Sequence, residues 1–403
     1  MKILIVTQYF WPEQFKINDL CIELAERGHD VTVYTGLPNY PAGAFFKGFG
    51  LLKGPYHQTF GKIKIIRVPM IARGPKKSFR LALNYFSYFF MASCLAPFLV
   101  RGKFDRIFVY QPSPVTVGIP GVLLKYLKRA PLFFWVSDLW PETLQATGVV
   151  NNKTVLSIIQ KFVLILYNHS DRVLVTSRGF YQKIETLGIS SKKLLYWPQW
   201  SDDFAKTPLG DLNDSRLPSG FIIMFAGNIG TSQDFPTIVK AAKILEKESH
   251  IHFVILGDGL MRSWAEQQIK ELGLEKNFHF LGRKSIESMP YYFSKADVLL
   301  ISLTDTELFS ITIPGKLQSY LASGKPILAS LNGEGAEIIK RTQAGITCPA
   351  SQPEKLAEAA LFLSKLSKEE IKKMGARALS CYQKEFDKNT VISLLEKELE
   401  SFK

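Results

Sequence analysis

The sequence predicts an α/β protein built from two doubly wound parallel-sheet domains that face each other across a cleft. Three observations carry the prediction. Apolar runs of strand length alternate with helical patterns along the chain, the runs show little polar alternation, and the rhythm breaks once near residue 200 before restarting. Strands covered by helices on both faces read as continuous apolar segments, so such runs joined by helices indicate parallel sheets. A length of 403 residues suits two domains. With 46% hydrophobic and 21% charged residues, the chain has the balance of a soluble globular protein with a full core.

In the first half, strands are expected at Ile3–Thr7, Val31–Thr35, Lys64–Pro69, Arg106–Tyr110, Leu132–Val136 and Arg172–Thr176. A segment of helical periodicity, Asn18–Arg27, follows the first, with Asn18 as N-cap and Gly28 as stop. The opening MKILIVTQYFWP carries one lysine and a four-residue apolar run, too short for a signal-peptide core and suited to a first buried strand. The pattern breaks at Trp197-Pro198-Gln199-Trp200, and the polar stretch 201–219 reads as a linker. The second half restarts with strands at Phe221–Phe225, His252–Leu256, Phe278–Leu281, Asp297–Ser302 and Pro326–Ser330, and closes in charged helices. The expected division is 1–198, 199–380 and a final helical segment, 381–403. In such folds ligands sit at the carboxyl ends of the strands.

Charge is concentrated. The chain carries a formal net charge of +14, and residues 47–137 hold fifteen Lys and Arg against a single acid, Asp105, so that this segment carries the whole excess. A concentrated basic face predicts an anionic partner, whether membrane surface, nucleic acid or polyanionic ligand. Within it, between Lys76-Lys77-Ser78-Phe79-Arg80 and Arg101, lie twenty uncharged residues, LALNYFSYFFMASCLAPFLV. Length alone permits a membrane span, but a span would place strands of one sheet on opposite sides of a bilayer. The favoured reading is a helix lying in the interface. Tyr85, Phe86, Tyr88, Phe89 and Phe90 would dip into lipid while Lys76, Lys77 and Arg80 meet phosphates. A helix buried against the sheet is the plainer alternative.

Several chemistries are disfavoured. Cys21, Cys94, Cys348 and Cys381 lie far apart with no CxxC spacing, which speaks against a zinc site or disulfide framework and fits a reducing cytoplasm. The six histidines form no ligand pair of the HExxH kind, so no metal site is expected; His250 and His252 would share a strand face as solvated edge residues. The turn after the first strand, Thr7-Gln8-Tyr9-Phe10-Trp11-Pro12-Glu13, has no glycine, and no GxxxxGK[ST] loop exists. NAD binding at that turn and a P-loop are therefore excluded.

The strand-end loops carry the candidate chemistry. Trp11-Pro12-Glu13 with Lys16 and Asn18 follows the first strand, Gly36-Leu37-Pro38-Asn39-Tyr40-Pro41 the second, and Asp138-Leu139-Trp140-Pro141-Glu142 the fifth. All three should open at one edge. Carboxylates beside aromatic faces suit sugar recognition, accepting hydroxyl hydrogen bonds while rings cover CH faces; packing of the Trp-Pro turns is the plain alternative. In the second half, Gly227-Asn228-Ile229-Gly230, Gly257-Asp258-Gly259 and Gly282-Arg283-Lys284 end strands, and Pro314-Gly315-Lys316 opens a helix. Glycines let backbone N–H groups approach an anion, and a helix start adds positive potential. Four such turns at one edge point to a nucleoside-diphosphate pocket. A solvated lysine at a helix start is the alternative for Lys316.

Taken together, MKILIVTQYFWPE, GLPNYP, SDLWPE, YWPQW, FAGNIG, LGDG and PGKLQSYLASGKPIL resemble the GT-B glycosyltransferases of family 4, in particular the WbuB-like branch that builds O-antigen, colanic-acid or capsular repeat units. The resemblance covers essentially the whole chain. It implies two Rossmann-like domains, the N-terminal one binding acceptor and the C-terminal one binding donor, with a final helix crossing back to the first. It also implies metal-independent, retaining transfer from a nucleoside-diphosphate sugar to a lipid-linked acceptor. The sequence departs from the family pattern where a pair of glutamates normally precedes the SG turn: those positions hold Ile311 and Ser319, and Glu307 is the nearest upstream acid. The usual Arg and Lys after the first C-terminal strand fall at Asn228 and Gln233. Lys316 with the Pro314–Lys316 amides is the expected replacement, Arg283 and Arg178 coming second; Arg283 lies where the family places the nucleotide base.

The expectation is therefore a retaining glycosyltransferase moving a sugar from a UDP-linked donor, such as UDP-N-acetyl-L-fucosamine, to an undecaprenyl-diphosphate glycan. It would work peripherally at the cytoplasmic face of the bacterial inner membrane, without a metal or other cofactor and without nucleic acid. Asp138, Glu13 and Lys316 are the candidate catalytic groups. Gly227, Asn228, Gly230, Gly257, Asp258, Arg283, Pro314, Gly315, Ser319 and Arg178 are donor-side candidates, and Lys16, Asn18, Asn39, Tyr40, Trp140 and Glu142 acceptor-side ones. A nucleotide-sugar 2-epimerase of the same fold and a non-catalytic binder of anionic lipid or polysaccharide are the alternatives.

Overall fold

The computed structural model describes residues 1–74, 78–201, 204 and 212–402. Two compact units emerge: Met1–Thr176, Phe180–Trp197 and Glu396–Lys403 form the first, Ser177–Gly179 and Pro198–Leu395 the second.

The first unit runs β1 (Lys2–Val6), α1 (Lys16–Glu26), β2 (Asp30–Gly36), β3 (His57–Phe60), β4 (Ile63–Val68), α2 (Ser78–Leu99), β5 (Arg106–Gln111), α3 (Gly118–Lys128), β6 (Leu132–Val136), α4 (Glu142–Ala146), α5 (Lys153–His169), β7 (Arg172–Val175), α6 (Arg178–Thr186) and β8 (Leu194–Tyr196). Its sheet has the order β3-β4-β2-β1-β5-β6-β7-β8. All pairings are parallel except β3 with β4. The six expected strands are present. β6, Leu-Phe-Phe-Trp-Val, is buried at every position, as a strand covered on both faces must be. β3 and β8 were not expected: β3 is a polar edge strand whose residues alternate in exposure, so no apolar run announces it, and β8 has three residues.

Gly28, at φ +93°, stops α1 as its permissive backbone allows. The expected N-cap is corrected. Phe15 occupies that position, and Asn18 lies inside the first turn with its Nδ2 donating to the Glu13 carbonyl at 2.6 Å.

The helix α2 answers the alternatives left by the uncharged segment in a mixed way. Asn84, Tyr88, Ala92, Ala96 and Val100, one per turn, are buried against the sheet. The opposite stripe is open: Phe79 is 76% exposed, Phe86 55%, Phe90 50% and Phe98 68%. Tyr88 thus belongs to the core, its hydroxyl donating to the Thr7 carbonyl at 2.9 Å, and Tyr85 is turned inward. Phe86 stacks on Phe90 and meets Phe89 edge-on. Arg80 is exposed and donates to the Ala72 carbonyl, while Lys76 and Lys77 lie outside the described residues.

Residues 396–402 fasten to this unit through three arginines and a histidine. Arg27 pairs with Glu396 at 3.0 Å, His29 with Glu396 at 2.7 Å and Arg172 with Glu398 at 2.5 Å. Arg106 donates to the Leu399 and Phe402 carbonyls. His29, Glu396 and Glu400 come close enough to hold an ion, but Glu396 is already engaged by Arg27 and His29, which gives the contacts a structural use.

The second unit runs β9 (Phe221–Ala226), α7 (Phe235–Ile244), β10 (Ile251–Leu256), α8 (Arg262–Glu271), β11 (Phe278–Gly282), α9 (Met289–Lys295), β12 (Val298–Ser302), α10 (Glu307–Ser310), α11 (Gly315–Ala322), β13 (Ile327–Ser330), α12 (Glu334–Thr342), β14 (Gly345–Cys348), α13 (Pro353–Ser364), α14 (Lys368–Glu385) and α15 (Lys388–Ser401), whose last residues belong to the first unit. Its sheet, in the order β11-β10-β9-β12-β13-β14, is parallel throughout. The core gathers Ile223, Phe225, Phe253, Ile255, Leu300 and Leu328 from the strands beneath Ile238, Ala265 and Leu356 from the helices. The end of the polar stretch is anchored and not a free linker. The Asp214 carboxylate accepts from Lys284 Nζ at 3.0 Å and the Tyr292 hydroxyl at 2.8 Å.

Candidate functional site

In the second unit, a pocket of about 500 Å³ opens where β9, β10 and β11 end and α11 begins. Its polar lining comes from Asn228, Asp258, Arg283, Lys284, Lys316 and Ser319; apolar walls come from Ile286, Met289, Phe293 and Phe204. Gly227, Gly257 and Gly315 also face it, so most of the donor-side candidates converge. One of the glycines, Gly257, is obligatory, and Gly227 leaves room for the Lys316 side chain. A Cβ at Gly257 would lie 1.8 Å from the Gly227 carbonyl oxygen, and one at Gly227 would lie 2.5 Å from Lys316 Cε.

Lys316 is the unusual member. It is the second residue of α11, after the extended N-cap Pro314. Its ammonium sits 4.2 Å from the centroid of the Phe225 ring, and among the described residues no carboxylate lies within ion-pairing distance of it. Burial pushes its pKa down to about 8. A half-buried cation resting on an aromatic face, with no carboxylate beside it among the described residues, can take an anionic ligand. The Gly315 and Lys316 amides, at the start of a helix, have no intrahelical acceptor and add to the positive potential.

The neighbouring cations are committed elsewhere. Lys284 is held by Asp214, with its ammonium 4.9 Å from the Tyr292 ring. Arg283 is 80% exposed on its side chain and approaches Asp258 at 3.6 Å. Ser319 faces the pocket with its Oγ 3.1 Å from Ser201 Oγ.

Three donor-side expectations need correction. The Gly227–Gly230 loop cannot cradle an anion with its amides, because most are spent. Gly227 N–H donates to the Leu256 carbonyl at 2.8 Å, Ile229 N–H to the Asp258 carbonyl at 2.9 Å, and Gly230 N–H to Gln233 Oε1 at 3.1 Å. Gly230 and Pro314 shape the turns without lining the pocket, and Arg178 is not in the lining either. Its backbone N–H donates to Glu334 at 2.8 Å. Glu307 is exposed at the start of the four-residue α10 and does not line the pocket.

In the first unit, the ends of β1, β5 and β6 bring a second polar group together. The Asp138 carboxyl accepts from the Thr143 hydroxyl at 3.2 Å and lies near Ser113, whose Oγ accepts from Trp140 Nε1 at 3.2 Å. The Tyr9 and Tyr85 phenols adjoin this group, both pKa values pushed up by burial. Burial also pushes Asp138 up to about 6, against the lowering effect of its hydroxyl partners. A carboxyl titrating there is mostly ionised at neutral pH and so can accept a hydrogen bond.

The other acceptor-side candidates are largely structural. Glu13 is buried, and its carboxylate accepts from the backbone N–H groups of Phe10 at 3.1 Å, Asn39 at 2.7 Å and Tyr40 at 2.7 Å. It staples the β1 and β2 loops together and is withdrawn as a catalytic candidate. Burial raises its pKa to about 7 despite those bonds. Asn39 is fully buried, its Oδ1 accepting from Arg73 N–H and Asn84 Nδ2. Tyr40 packs beside Phe15 with the Arg73 guanidinium 5.1 Å from its ring. Lys16 pairs with Asp19 at 3.6 Å and Glu142 with Lys183 at 3.9 Å.

Sequence reasoning missed Ser113, Tyr85, Phe225 and Lys284. The first was findable: Gln111-Pro112-Ser113-Pro114 follows a strand just as the other chosen loops do. Tyr85 was assigned to the outer face of its helix, and nothing in a uniformly apolar segment says which way a tyrosine turns.

Comparison with known proteins identifies the family of the chain. Residues 16–200 match the family described as glycosyl transferase 4-like domain, and residues 214–379 match glycosyl transferases group 1. The chain is 25% identical over 339 residues to the "Putative colanic acid biosynthesis glycosyl transferase WcaI" of Escherichia coli strain K12, covering 80% of this chain and 82% of that protein. Among solved structures, Anabaena Alr3699/HepE in complex with UDP superposes with a TM-score of 0.72 at 16% identity over the full length of both chains. WaaG, a glycosyltransferase involved in lipopolysaccharide biosynthesis, superposes with a TM-score of 0.65 at 14% identity over 99% of both.

Proposed function

The chain belongs to the glycosyltransferases of the GT-B fold, and from that premise we propose that it transfers a sugar from a nucleoside-diphosphate donor to a lipid-linked glycan in surface-polysaccharide assembly. The observation that carries the donor side is Lys316, a cation on the Phe225 ring with no carboxylate beside it among the described residues, in a pocket large enough for a nucleotide. The base lies between Ile286, Met289 and Phe293, and the diphosphate reaches Lys316 and the start of α11. UDP as the nucleotide is supported by the UDP-bound relative of the same fold. An N-acetyl sugar such as N-acetyl-L-fucosamine rests on the sequence resemblance alone.

In this reading the acceptor hydroxyl forms a bond to the anomeric carbon as the bond from that carbon to the donor phosphate breaks. The hydroxyl proton passes to the leaving phosphate, with retention of configuration. Lys316 and the α11 amides stabilise the charge that develops on the diphosphate, the electrostatic effect that is usually the largest in such catalysis. No metal is invoked for this, since the lysine supplies the charge and Asp258 is the one carboxylate in the pocket lining among the described residues. Asp138 orients the acceptor hydroxyl.

The acceptor is proposed to be an undecaprenyl-diphosphate glycan met at the cytoplasmic face of the inner membrane. Support comes from the exposed phenylalanine stripe of α2 and from the basic excess of residues 47–137. The name of the WcaI relative points to polysaccharide assembly as well. The test is a donor screen against a synthetic lipid-diphosphate sugar, read by mass. A single hexosamine added from one UDP-linked donor is the expected result. No transfer from any donor, together with no change in melting temperature on adding UDP, would refute the reading.

A further inference from the structure

Between β2 and β3 the chain makes a tight hook that presents two leucines to solvent. Leu51 is 50% exposed and Leu52 102% exposed, more open than any other large apolar residue described. This is no loose loop. Gly50 N–H donates to the Gly54 carbonyl at 3.1 Å, and Gly54 N–H returns a bond to the Gly50 carbonyl at 2.9 Å. Lys53 N–H donates to the same Gly50 carbonyl at 3.2 Å, and the Tyr56 hydroxyl donates to the Leu51 carbonyl at 2.6 Å. At the base, Phe49 turns inward, its ring 5.0 Å from the Arg67 guanidinium. The backbone is thus pinned with its apolar tip outward, an arrangement that carries a free-energy cost in water and gains only when the tip is covered.

The charge around the tip says what covers it. Residues 41–56 contain Lys47 and Lys53 and no acid. Topology says where it points. β2 and β4 are parallel, with Gly36 opposite Val68, and β3 returns antiparallel from His57 opposite Ile66. The hook therefore leaves the sheet from the edge where β2 and β4 end. The chain leading to α2 leaves from the same edge, and Gly74 N–H donates to the Gly43 carbonyl at 2.7 Å across the two segments.

We infer that the Leu51–Leu52 hook is a second bilayer contact. It inserts two leucines below the headgroups of an anionic leaflet while Lys47 and Lys53 meet lipid phosphates. With the α2 stripe it makes a two-point footing. A helix alone leaves the unit free to roll about the helix axis, whereas a second point beside the β2 and β4 ends fixes which edge of the sheet faces the lipid. This inference rests on the membrane-linked acceptor proposed above.

The test uses the whole chain with Cys94→Ser, because Cys94 is exposed whereas Cys21, Cys348 and Cys381 are buried. Leu52→Cys and, separately, Phe90→Cys carry an environment-sensitive fluorophore and are mixed with phosphatidylglycerol-containing vesicles or with pure phosphatidylcholine vesicles. A blue shift at both positions on the anionic vesicles, quenched by shallow spin-labelled lipid, is expected. In the unlabelled chain, L51S/L52S should weaken vesicle partitioning by on the order of tenfold or more at unchanged melting temperature. A shift at position 90 without one at position 52 overturns the hook and leaves α2 standing. No shift at either position overturns the membrane reading as well. A shift at position 52 that grows with protein concentration in the absence of vesicles assigns the tip to a second copy of the chain, and a lowered melting temperature assigns it to internal packing; either overturns the proposal.

Discussion

Replacing Lys316 by methionine keeps the length of the side chain and its seat on Phe225 while removing the charge, so two opposite effects should separate. Burial lowers the lysine from 10.5 to about 8. At about 1.4 kcal/mol per unit, the charged form is disfavoured in the unliganded folded protein by about 3 kcal/mol relative to the unfolded chain. The sign follows from proton counting. Between about pH 8 and 10.5 the unfolded chain holds the proton more tightly, so stability rises with pH across that window and is lowest below it. At pH 7 the methionine variant should therefore be more stable than the parent, by on the order of 2 kcal/mol once the lost cation–π contact is set against the relieved burial. The advantage should vanish near pH 10.5.

Ligand binding should move the other way. A phosphate oxygen on a partly buried ammonium contributes on the order of 2–3 kcal/mol, so Lys316→Met should weaken UDP by on the order of 100-fold and leave uridine unchanged. The same charge must show itself in protons. The free lysine is half-protonated near pH 8, and an adjacent diphosphate restores it to full protonation. UDP binding at that pH should then take up about half a proton, and at pH 6 almost none. Titration calorimetry in two buffers of different ionisation enthalpy measures this directly. Equal weakening of UDP and uridine, or no proton uptake at pH 8, would show that the lysine does not meet the phosphates.

Asp138→Asn should remove a carboxyl held near 6; because the folded value is raised, the wild type loses stability as pH rises from about 4 to 6, so the variant should be more stable than the wild type by about 2 kcal/mol at pH 7 and should lose that advantage at pH 3.5. Its transfer rate should fall and lose any acid limb near pH 6, measured on the lipid-linked acceptor. Gly257→Ala places a methyl 1.8 Å from the Gly227 carbonyl oxygen and should cost about 3 kcal/mol or abolish folding, read by urea denaturation. Phe86→Ser with Phe90→Ser should release the chain from anionic vesicles in flotation without lowering its melting temperature, since both rings are at least half exposed.

How much of this was legible in the sequence follows from what each feature depends on. The parallel strands were legible because covering by helices on both faces forces continuous apolar runs, as in β6 and β10. β3 was not, because an edge strand makes no such demand. In the pocket, the place of Lys316 at a helix start was legible, but its seat on the Phe225 ring instead of in solvent was not. The fate of the Gly227–Gly230 amides was not. Two of them, of Gly227 and Ile229, are consumed by carbonyls at the β10 end, and only the three-dimensional register brings Leu256 and Asp258 opposite them. Glu13 failed for the same reason. A carboxylate in a strand-end loop looks catalytic until the Asn39 and Tyr40 amides, from the next strand's loop, are seen to occupy it.

The uncharged segment around α2 illustrates a deeper ambiguity. A lack of charge over twenty residues is what a span, a core helix and an interfacial helix all share, and the sequence separates them only by what the polar exceptions do. Asn84 is such an exception. It accepts from Gln8 Nε2 at 2.8 Å and donates to Asn39 Oδ1 at 3.2 Å and to the Ile71 carbonyl at 2.7 Å. Tyr88 donates to the Thr7 carbonyl, and the Ala92 carbonyl accepts from the Tyr34 hydroxyl. Pulling the helix out of the sheet into a bilayer would break these five bonds and strand several buried partners at about 1–3 kcal/mol each. Lipid would not return that loss, because the α2 face that a bilayer rewards is already open to it. The polar residues of the inner face therefore hold the helix at the surface of the sheet, and the phenylalanines of the outer face are left to act from there. On one turn of helix Tyr85 reaches toward Asp138 and Phe86 points away, so a residue beside the proposed acceptor group and a residue proposed to meet lipid are neighbours in the chain.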